Sequence, residues 1–225
     1  FSVIDLKDAF FCLPLAEESQ VIFAFEWKNP STGRKKHLTW TVLPQGFKNS
    51  PTLFGNQLAK ELEQWQSPPG EGTLLQYVDD LLVATKTATG CLEWTVSLLN
   101  FLGLNGYQVS QQKAQLVQQR VTYLGYEISG GQRSLGTAWK EAIYQTPKPR
   151  TVRKLHAFLG MTGWCRLWIY NYGLIVKPLY ELVKVSKNAV VWTPEADKAS
   201  KELKHELMRA PTLGLPDVSK PFWLF

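Results

Sequence analysis

The sequence predicts an α+β fold: an antiparallel sheet with helices packed on one face, followed by a mainly helical second part. Three observations carry that expectation. Short runs rich in β-branched and aromatic residues come in pairs separated by turn residues, with helix-period runs between and after them. Hydrophobic residues make up 44% of the chain and charged residues 20%, which is globular composition and excludes a disordered tract. Beyond Gly130-Gly131 the pattern turns helical and basic.

The elements follow in order. Residues 1–13 alternate loosely as a strand, and Asp5 to Phe10 leave it for a tighter turn or short helix. Residues 21–27 and 37–43 read as two strands, and Asn29-Pro30-Ser31-Thr32-Gly33 between them makes the pair a hairpin. Residues 50–65 place Leu53, Phe54, Leu58, Leu62 and Trp65 at helical spacing, with Pro51 in the first turn and Ser67-Pro68-Pro69-Gly70 as the stop. Two apolar runs, 74–78 and 81–85, bracket Asp79-Asp80. A helix over 90–105 carries Leu92, Val96, Leu99 and Leu102 on one stripe, and short strands follow near 107–109, 115–118 and 121–128. Pro147-Lys148-Pro149-Arg150 is an extended basic linker, and Thr151 is the N-cap of the next helix. Helices over 173–185 and 194–209 come next, the second opened by Thr193-Pro194-Glu195. The chain starts at Phe1 without Met and stops in a strand-like Pro221-Phe222-Trp223-Leu224-Phe225, so it reads as a piece of a longer protein.

Composition narrows the function classes. The longest apolar runs, such as Leu81 to Ala84, are too short for a membrane span, and no secretory signal is visible. Cys12, Cys91 and Cys165 form no CxxC pair, which argues against a zinc site or disulfide framework and fits a reducing compartment. His37, His156 and His205 are scattered and read as surface or packing residues. The net charge of +6 is unevenly spread. Residues 1–110 hold 8 Lys/Arg against 11 Asp/Glu, a net of −3, and residues 111–225 hold 17 against 8, a net of +9. That asymmetry suits a cation site beside a polyanion-binding surface, or solvated helix faces in the second half.

Adjacent aspartates at a hairpin tip can be simple turn residues. Here the flanking runs are nearly all apolar, so the hairpin is expected to be buried on at least one face. Carboxylates held at such a tip repel each other and call for a cation. Asp5 and Asp8 form a second acidic cluster at the end of an apolar strand. If the two strands are neighbours, Asp5 and Asp79 can share hard divalent ions, and oxygen-only ligation selects Mg²⁺ or Mn²⁺ over zinc. Two such ions about 3.5–4 Å apart serve in-line displacement at phosphorus.

The same residues carry a family resemblance. Phe1-Ser2-Val3-Ile4-Asp5-Leu6-Lys7-Asp8-Ala9-Phe10-Phe11 resembles the first polymerase motif of retroviral reverse transcriptases. Leu43-Pro44-Gln45-Gly46-Phe47-Lys48-Asn49-Ser50-Pro51 resembles their second motif, and Tyr77-Val78-Asp79-Asp80 their YXDD box. Lys113-Ala114-Gln115 and Tyr123-Leu124-Gly125-Tyr126 resemble the later palm motif and the primer grip. Phe158-Leu159-Gly160 with Cys165-Arg166-Leu167-Trp168-Ile169 is similar to the gammaretroviral Pol type, and Leu213-Gly214-Leu215-Pro216-Asp217 to the entry of the connection domain. The resemblance spans essentially the whole chain. It implies a polymerase palm with part of the fingers (residues 1–130, the fingers at about 15–47), a helical thumb over 131–212, and the first strand of a truncated connection domain over 213–225.

The resemblance also implies roles. Asp5, Asp79 and Asp80 would hold two Mg²⁺ ions, replaceable by Mn²⁺, with the Leu6 carbonyl as a further metal ligand. Asp8, Ala9, Phe10, Gln45 and Lys113 would contact the incoming dNTP. Phe10 would be a steric gate against a ribose 2′-hydroxyl, discriminating by clash rather than by a gained contact. Lys113 would protonate or neutralise the leaving pyrophosphate, or be a solvated surface lysine. Gln45 and Gly46, Tyr77 and Val78, and Tyr123, Leu124, Gly125 and Tyr126 would meet the template–primer. The basic run Arg133, Lys140, Lys148, Arg150, Arg153 and Lys154 would face duplex phosphates. The implied activity is RNA-directed DNA polymerase, also DNA-templated. Implied partners are an RNA or DNA template with primer, dNTPs, and the rest of the Pol polyprotein (fingers, connection, RNase H), with no membrane and an intracellular, cytoplasmic or virion-associated location. Trp139 stands where a basic residue is expected, which fits an endogenous retroviral copy. An inactive nucleic-acid-binding remnant of such a Pol is the rival reading. A nuclease is a third, though no general base or positioned histidine accompanies the aspartates.

Overall fold

The computed structural model describes residues 1–214 and 220–221. The chain forms two compact units, Phe1–Val121 and Thr122–Phe225. The division falls earlier than the expected 130/131 boundary. The three short strands that begin at Arg120, Tyr126 and Gln132 lie side by side in one sheet, which a fourth strand at Leu213–Gly214 joins.

In the first unit, β1 (Ser2–Lys7) leads through a 3₁₀ turn at Ala9–Cys12 to a short α1 (Glu17–Gln20). Val21–Phe23, expected as strand, is a second 3₁₀ turn, and the hairpin strands β2 (Phe25–Lys28) and β3 (Lys35–Leu38) are correspondingly shorter. This ribbon is exposed along its whole length, so no burial extends it. Next come α2 (Ser50–Leu62), β4 (Gly72–Tyr77), β5 (Asp80–Thr85), α3 (Ala88–Leu104) and β6 (Gln108–Val109). The sheet order is β4-β5-β1-β6, with antiparallel neighbours. Residues 115–118 form no strand; Gln115 makes only an isolated bridge to Val3.

Alternation along the strands decides which side chains meet the helices. Ile4, Leu6, Leu81 and Val83 join Phe54 and Leu58 of α2 and Trp94, Leu98 and Leu102 of α3 in one buried cluster. Asp5 and Asp80 occupy the intervening positions, so they face away from the helices. The apolar period that builds the core therefore also aims the acidic residues at the open side.

The second unit begins within β7 (Arg120–Tyr123), which crosses the division, and continues with β8 (Tyr126–Ser129) and β9 (Gln132–Leu135). The single strand expected over 121–128 is thus two strands joined at Leu124-Gly125, both with positive φ. After α4 (Thr137–Gln145), α5 (Val152–Trp164), α6 (Tyr172–Val185) and α7 (Pro194–Met208), β10 (Leu213–Gly214) returns to pair with β9. The sheet order is β10-β9-β8-β7. Within the part expected to be mainly helical, β9 is the strand that the sequence reading did not include. Thr151 caps α5 as expected, its Oγ1 accepting from the Lys154 amide at 3.3 Å. The remainder of the expected connection strand, 215–219 and 222–225, lies outside the described residues. Among the described residues, no helix is long and apolar enough to cross a membrane.

Candidate active site

Four antiparallel pairs align β1 with β5, Ser2 with Val83 through Asp5 with Asp80. On the other side of β5, Tyr77 pairs with Asp80, leaving Val78-Asp79 as a two-residue turn. Such a turn needs positive φ at its first central position, which glycine ordinarily supplies. Val78 supplies it at φ 54, unusual for a β-branched residue. The Leu6 amide donates to the Asp79 carbonyl at 3.2 Å, tying β1 to this tip. Asp5, Asp79 and Asp80 therefore come from distant stretches of chain to one edge of one sheet.

A cavity of about 330 Å³ opens there. It is lined by Asp5, Leu6, Lys7, Asp8, Ala9, Phe10, Gln45, Asp79, Ser110 and Lys113. Every residue assigned to the dNTP from the sequence lines this one cavity. Phe10 rests edge-on against buried Phe54, centroids 5.7 Å apart. Phe54 meets buried Tyr107 edge-on at 6.0 Å, and the Tyr107 hydroxyl donates to Glu61 at 2.6 Å. Gln45 is exposed beside Gly46, whose φ of +88 suits glycine.

Electrostatics at the edge favour a cation. Burial, then the Asp79 and Asp5 charges, push the Asp80 carboxyl above the usual range, opposed by Lys113. The Lys113 ammonium lies 3.2 Å from both Asp5 carboxylate oxygens. Among the described residues, no three Asp, Glu, His or Cys side chains stand close enough to hold one ion. The backbone brings the three aspartates together, and the donor set is all oxygen, as Mg²⁺ and Mn²⁺ require. The residues fit such ions in donor type, and the pairing of Asp5 with Asp80 beside Asp79 brings their backbones to one edge.

The remaining sequence-assigned residues distribute as follows. Tyr77 is 60% exposed, whereas Val78 packs partly on the core. In the second unit, Tyr123 is buried, and the Tyr126 ring stacks on Trp164 at 4.5 Å and lies 5.3 Å from Trp168. The two tyrosine rings are thus packing residues, and Leu124-Gly125 is the exposed part of that hairpin. Arg150, Arg153 and Lys154 are exposed around the start of α5. Trp139, the departure from the expected basic residue, packs edge-on to Trp164 at 5.6 Å and so belongs to the same aromatic cluster.

Sequence reasoning missed Ser110 and Gln76. Ser110 carried no signal, being an ordinary polar loop residue. Gln76 did carry one, since the burial alternation of β4 puts it on the inward side with Gly72 and Leu74. Its Nε2 donates to the Gly55 carbonyl at 3.0 Å and the Val78 carbonyl at 3.1 Å.

Comparison with known proteins agrees with this geometry. The profile of the family described as "Reverse transcriptase (RNA-dependent DNA polymerase)" matches residues 1–128. All 225 residues align at 52% identity with the Gag-Pol polyprotein of baboon endogenous virus (strain M7), covering 13% of that protein. The Pol polyprotein of feline endogenous virus ECE1 is 50% identical over the same span, which is 21% of its length. The Gag-Pol polyprotein of feline leukemia virus is also 50% identical, over 13% of its length. The chain thus spans about a fifth or less of these relatives. Among solved structures, the foamy viral protease-reverse transcriptase dRH in complex with double-stranded DNA superposes with a TM-score of 0.84 at 34% identity, covering 96% of this chain and 36% of that one. The same enzyme with an RNA/DNA hybrid gives 0.81 at 35% identity, covering 93% and 27%. A profile matched over more than half of the residues, and relatives half identical from end to end, leave one conclusion: this chain belongs to the reverse transcriptase family.

Proposed function

We propose that the chain is the catalytic core of an RNA-directed DNA polymerase that adds dNTPs to a primer 3′-hydroxyl on RNA or DNA templates. One observation carries the reading. β1 and the β4–β5 hairpin set Asp5 opposite Asp80, with Asp79 on the rim of a cavity that also holds Phe10, Gln45 and Lys113. Asp5, Asp79, Asp80 and the Leu6 carbonyl would hold two Mg²⁺ ions, for which Mn²⁺ could substitute. Bound there, such ions would supply activation of the primer hydroxyl and offset charge on the transferring phosphoryl group. Phe10 excludes a 2′-hydroxyl, Asp8 and Ala9 bound the sugar pocket, and Gln45-Gly46 approach the templating pair. Lys113 offsets or protonates the leaving pyrophosphate.

Tyr77 and Val78 face the primer end, while Leu124-Gly125 meet the primer strand on a hairpin anchored by Tyr123 and Tyr126. Arg150, Arg153 and Lys154 bind duplex phosphates. Their position supports this role, because cations at a helix N-terminus oppose the helix dipole and are matched there only by an anion. Such contacts give salt-dependent affinity without sequence preference. On this reading residues 1–130 are palm with part of the fingers, 131–212 are thumb, and 213–225 begin the connection domain. The remaining fingers, connection and RNase H belong to the rest of the Pol polyprotein.

The test is Asp79→Asn in the full-length parent. dNTP incorporation is expected to disappear while template–primer binding persists, and undiminished synthesis overturns the mechanism. The rival reading is a nucleic-acid-binding remnant of an endogenous retroviral Pol that does not catalyse. Mg²⁺-dependent primer extension by the unmodified parent separates the two.

A further inference from the structure

The strained turn that carries Asp79 is held by a side chain that none of the assigned roles uses. Val78 sits at φ 54, a conformation that costs a β-branched residue free energy and persists only where its surroundings enforce it. Gln76 lies two residues earlier on the inward side of β4. Its single amide nitrogen donates both hydrogens, one to the Val78 carbonyl at 3.1 Å and one to the Gly55 carbonyl at 3.0 Å. Gly55 belongs to α2, and there an added Cβ would lie 3.7 Å from the Val78 Cα, so helix and turn are in near contact. The first residue of α2, buried Ser50, donates its hydroxyl to the Pro44 carbonyl at 2.8 Å, beside Gln45. A continuous path of polar contacts and helix backbone thus runs from the Gln45 loop to the tip bearing Asp79.

We propose that Gln76 is a positioning residue. It clamps the Val78 turn in its left-handed conformation and locks it to α2, so that the Gln45 loop and the metal-binding aspartates form one rigid assembly. The mechanism requires two donors. Glutamate matches the size of glutamine but donates nothing, and asparagine falls short of both carbonyls. Leucine fills the space without any hydrogen bond. The need for the clamp also depends on the strain at residue 78, because glycine adopts positive φ at little cost.

The test compares Gln76→Leu and Gln76→Glu in the full-length parent, each with Val78 and with Val78→Gly. The first readout is amide hydrogen exchange across residues 76–81. Both Gln76 variants are expected to exchange faster there, with exchange in α3 unchanged. The second readout is steady-state primer extension. Loss of one or two hydrogen bonds is expected to lower kcat by about tenfold or more, with KM for dNTP changed far less. In the Val78→Gly background the same substitutions are expected to cost about twofold or less. Equal losses in both backgrounds, or unchanged exchange over 76–81, overturn the proposal. The kinetic arm rests on the polymerase reading, whereas the exchange arm does not. A parent without synthesis would therefore sink that reading and still leave the clamp to be decided by exchange. If Gln76→Leu fails to fold, Gln76→Glu decides alone.

Discussion

The role proposed for Phe10 as a sugar gate makes a quantitative prediction through the aromatic column beneath the cavity. Phe10 is only half-buried and owes its position to Phe54, which is fully buried and touches both Phe10 and Tyr107 edge-on. Tyr107 is fixed in turn by its hydroxyl on Glu61. Phe54→Leu keeps an apolar side chain of similar reach but removes both ring contacts. Each such contact contributes about 0.5–1.5 kcal/mol beyond area burial. The Phe10–Phe54 share opposes any retreat of the gate before a 2′-hydroxyl. Its loss should lower discrimination against ribonucleotides by roughly two- to twelvefold. The assay is the ratio of kcat/KM for a dNTP to that for the matching rNTP, in Phe54→Leu and in Leu98→Ala. Leu98 is fully buried in the same core but lies on α3 and has no aromatic contact with the gate. The ratio should fall in the first variant and hold in the second, although both lose stability. An unchanged ratio in Phe54→Leu, or an equal fall in Leu98→Ala, refutes the reasoning.

Two further predictions concern stability. A Cβ at Gly72 would lie 2.6, 2.7 and 2.7 Å from three ring atoms of Trp94, so Gly72→Ala should destabilise by about 1–3 kcal/mol in denaturant unfolding. The penalty should vanish when combined with Trp94→Leu. Asp197 accepts from Lys148 and Lys201, which hold its carboxyl well below the usual range, at about 2. A depressed carboxyl pKa stabilises the fold above the ordinary carboxylate value, and that contribution is lost as pH falls through about 2. Acid unfolding between pH 4 and 2 should therefore be less steep in Lys148→Met.

Legibility in the sequence followed physical range. The bounds of helices α2, α3, α6 and α7 were readable within a residue or three because spacing and stop signals are local. The stripe expected on α3 was wrong, however: Leu92 and Val96 are exposed, and Cys91, Trp94, Leu98 and Leu102 are the buried positions. The acidic centre was readable because three aspartates at the ends of apolar strands need a shared partner wherever those strands pair. The sheet of β7 to β10 was not. Its strands are two to four residues long, too short for alternation to register, and β10 joins from 80 residues downstream of β9, with Leu213 opposite Arg133. The packing of Tyr126 was hidden for a related reason: a motif names the residue, but only the fold reveals that its ring is stacked on Trp164.

Two non-glycine residues with left-handed backbone stand next to the aspartates, Asp8 at φ 52 and Val78 at φ 54. Each costs of the order of 1–3 kcal/mol, which glycine would largely avoid. At position 78 glycine would also lose the apolar side chain that packs on the core, a tie on the tip separate from the Gln76 hydrogen bonds. Free movement is the greater harm at this site. Burial and neighbouring charge already raise the Asp80 carboxyl, so a loose tip would let the aspartates separate and relieve their repulsion. On the proposed metal-binding role, a strained but clamped turn would hold them where a pair of divalent ions could use that repulsion as binding energy. The argument makes a simple demand of Val78→Gly alone: the fold should be as stable as before or more so, while the affinity for Mn²⁺ falls. A variant that gains stability and keeps its metal affinity would mean that the strain serves no purpose at the site.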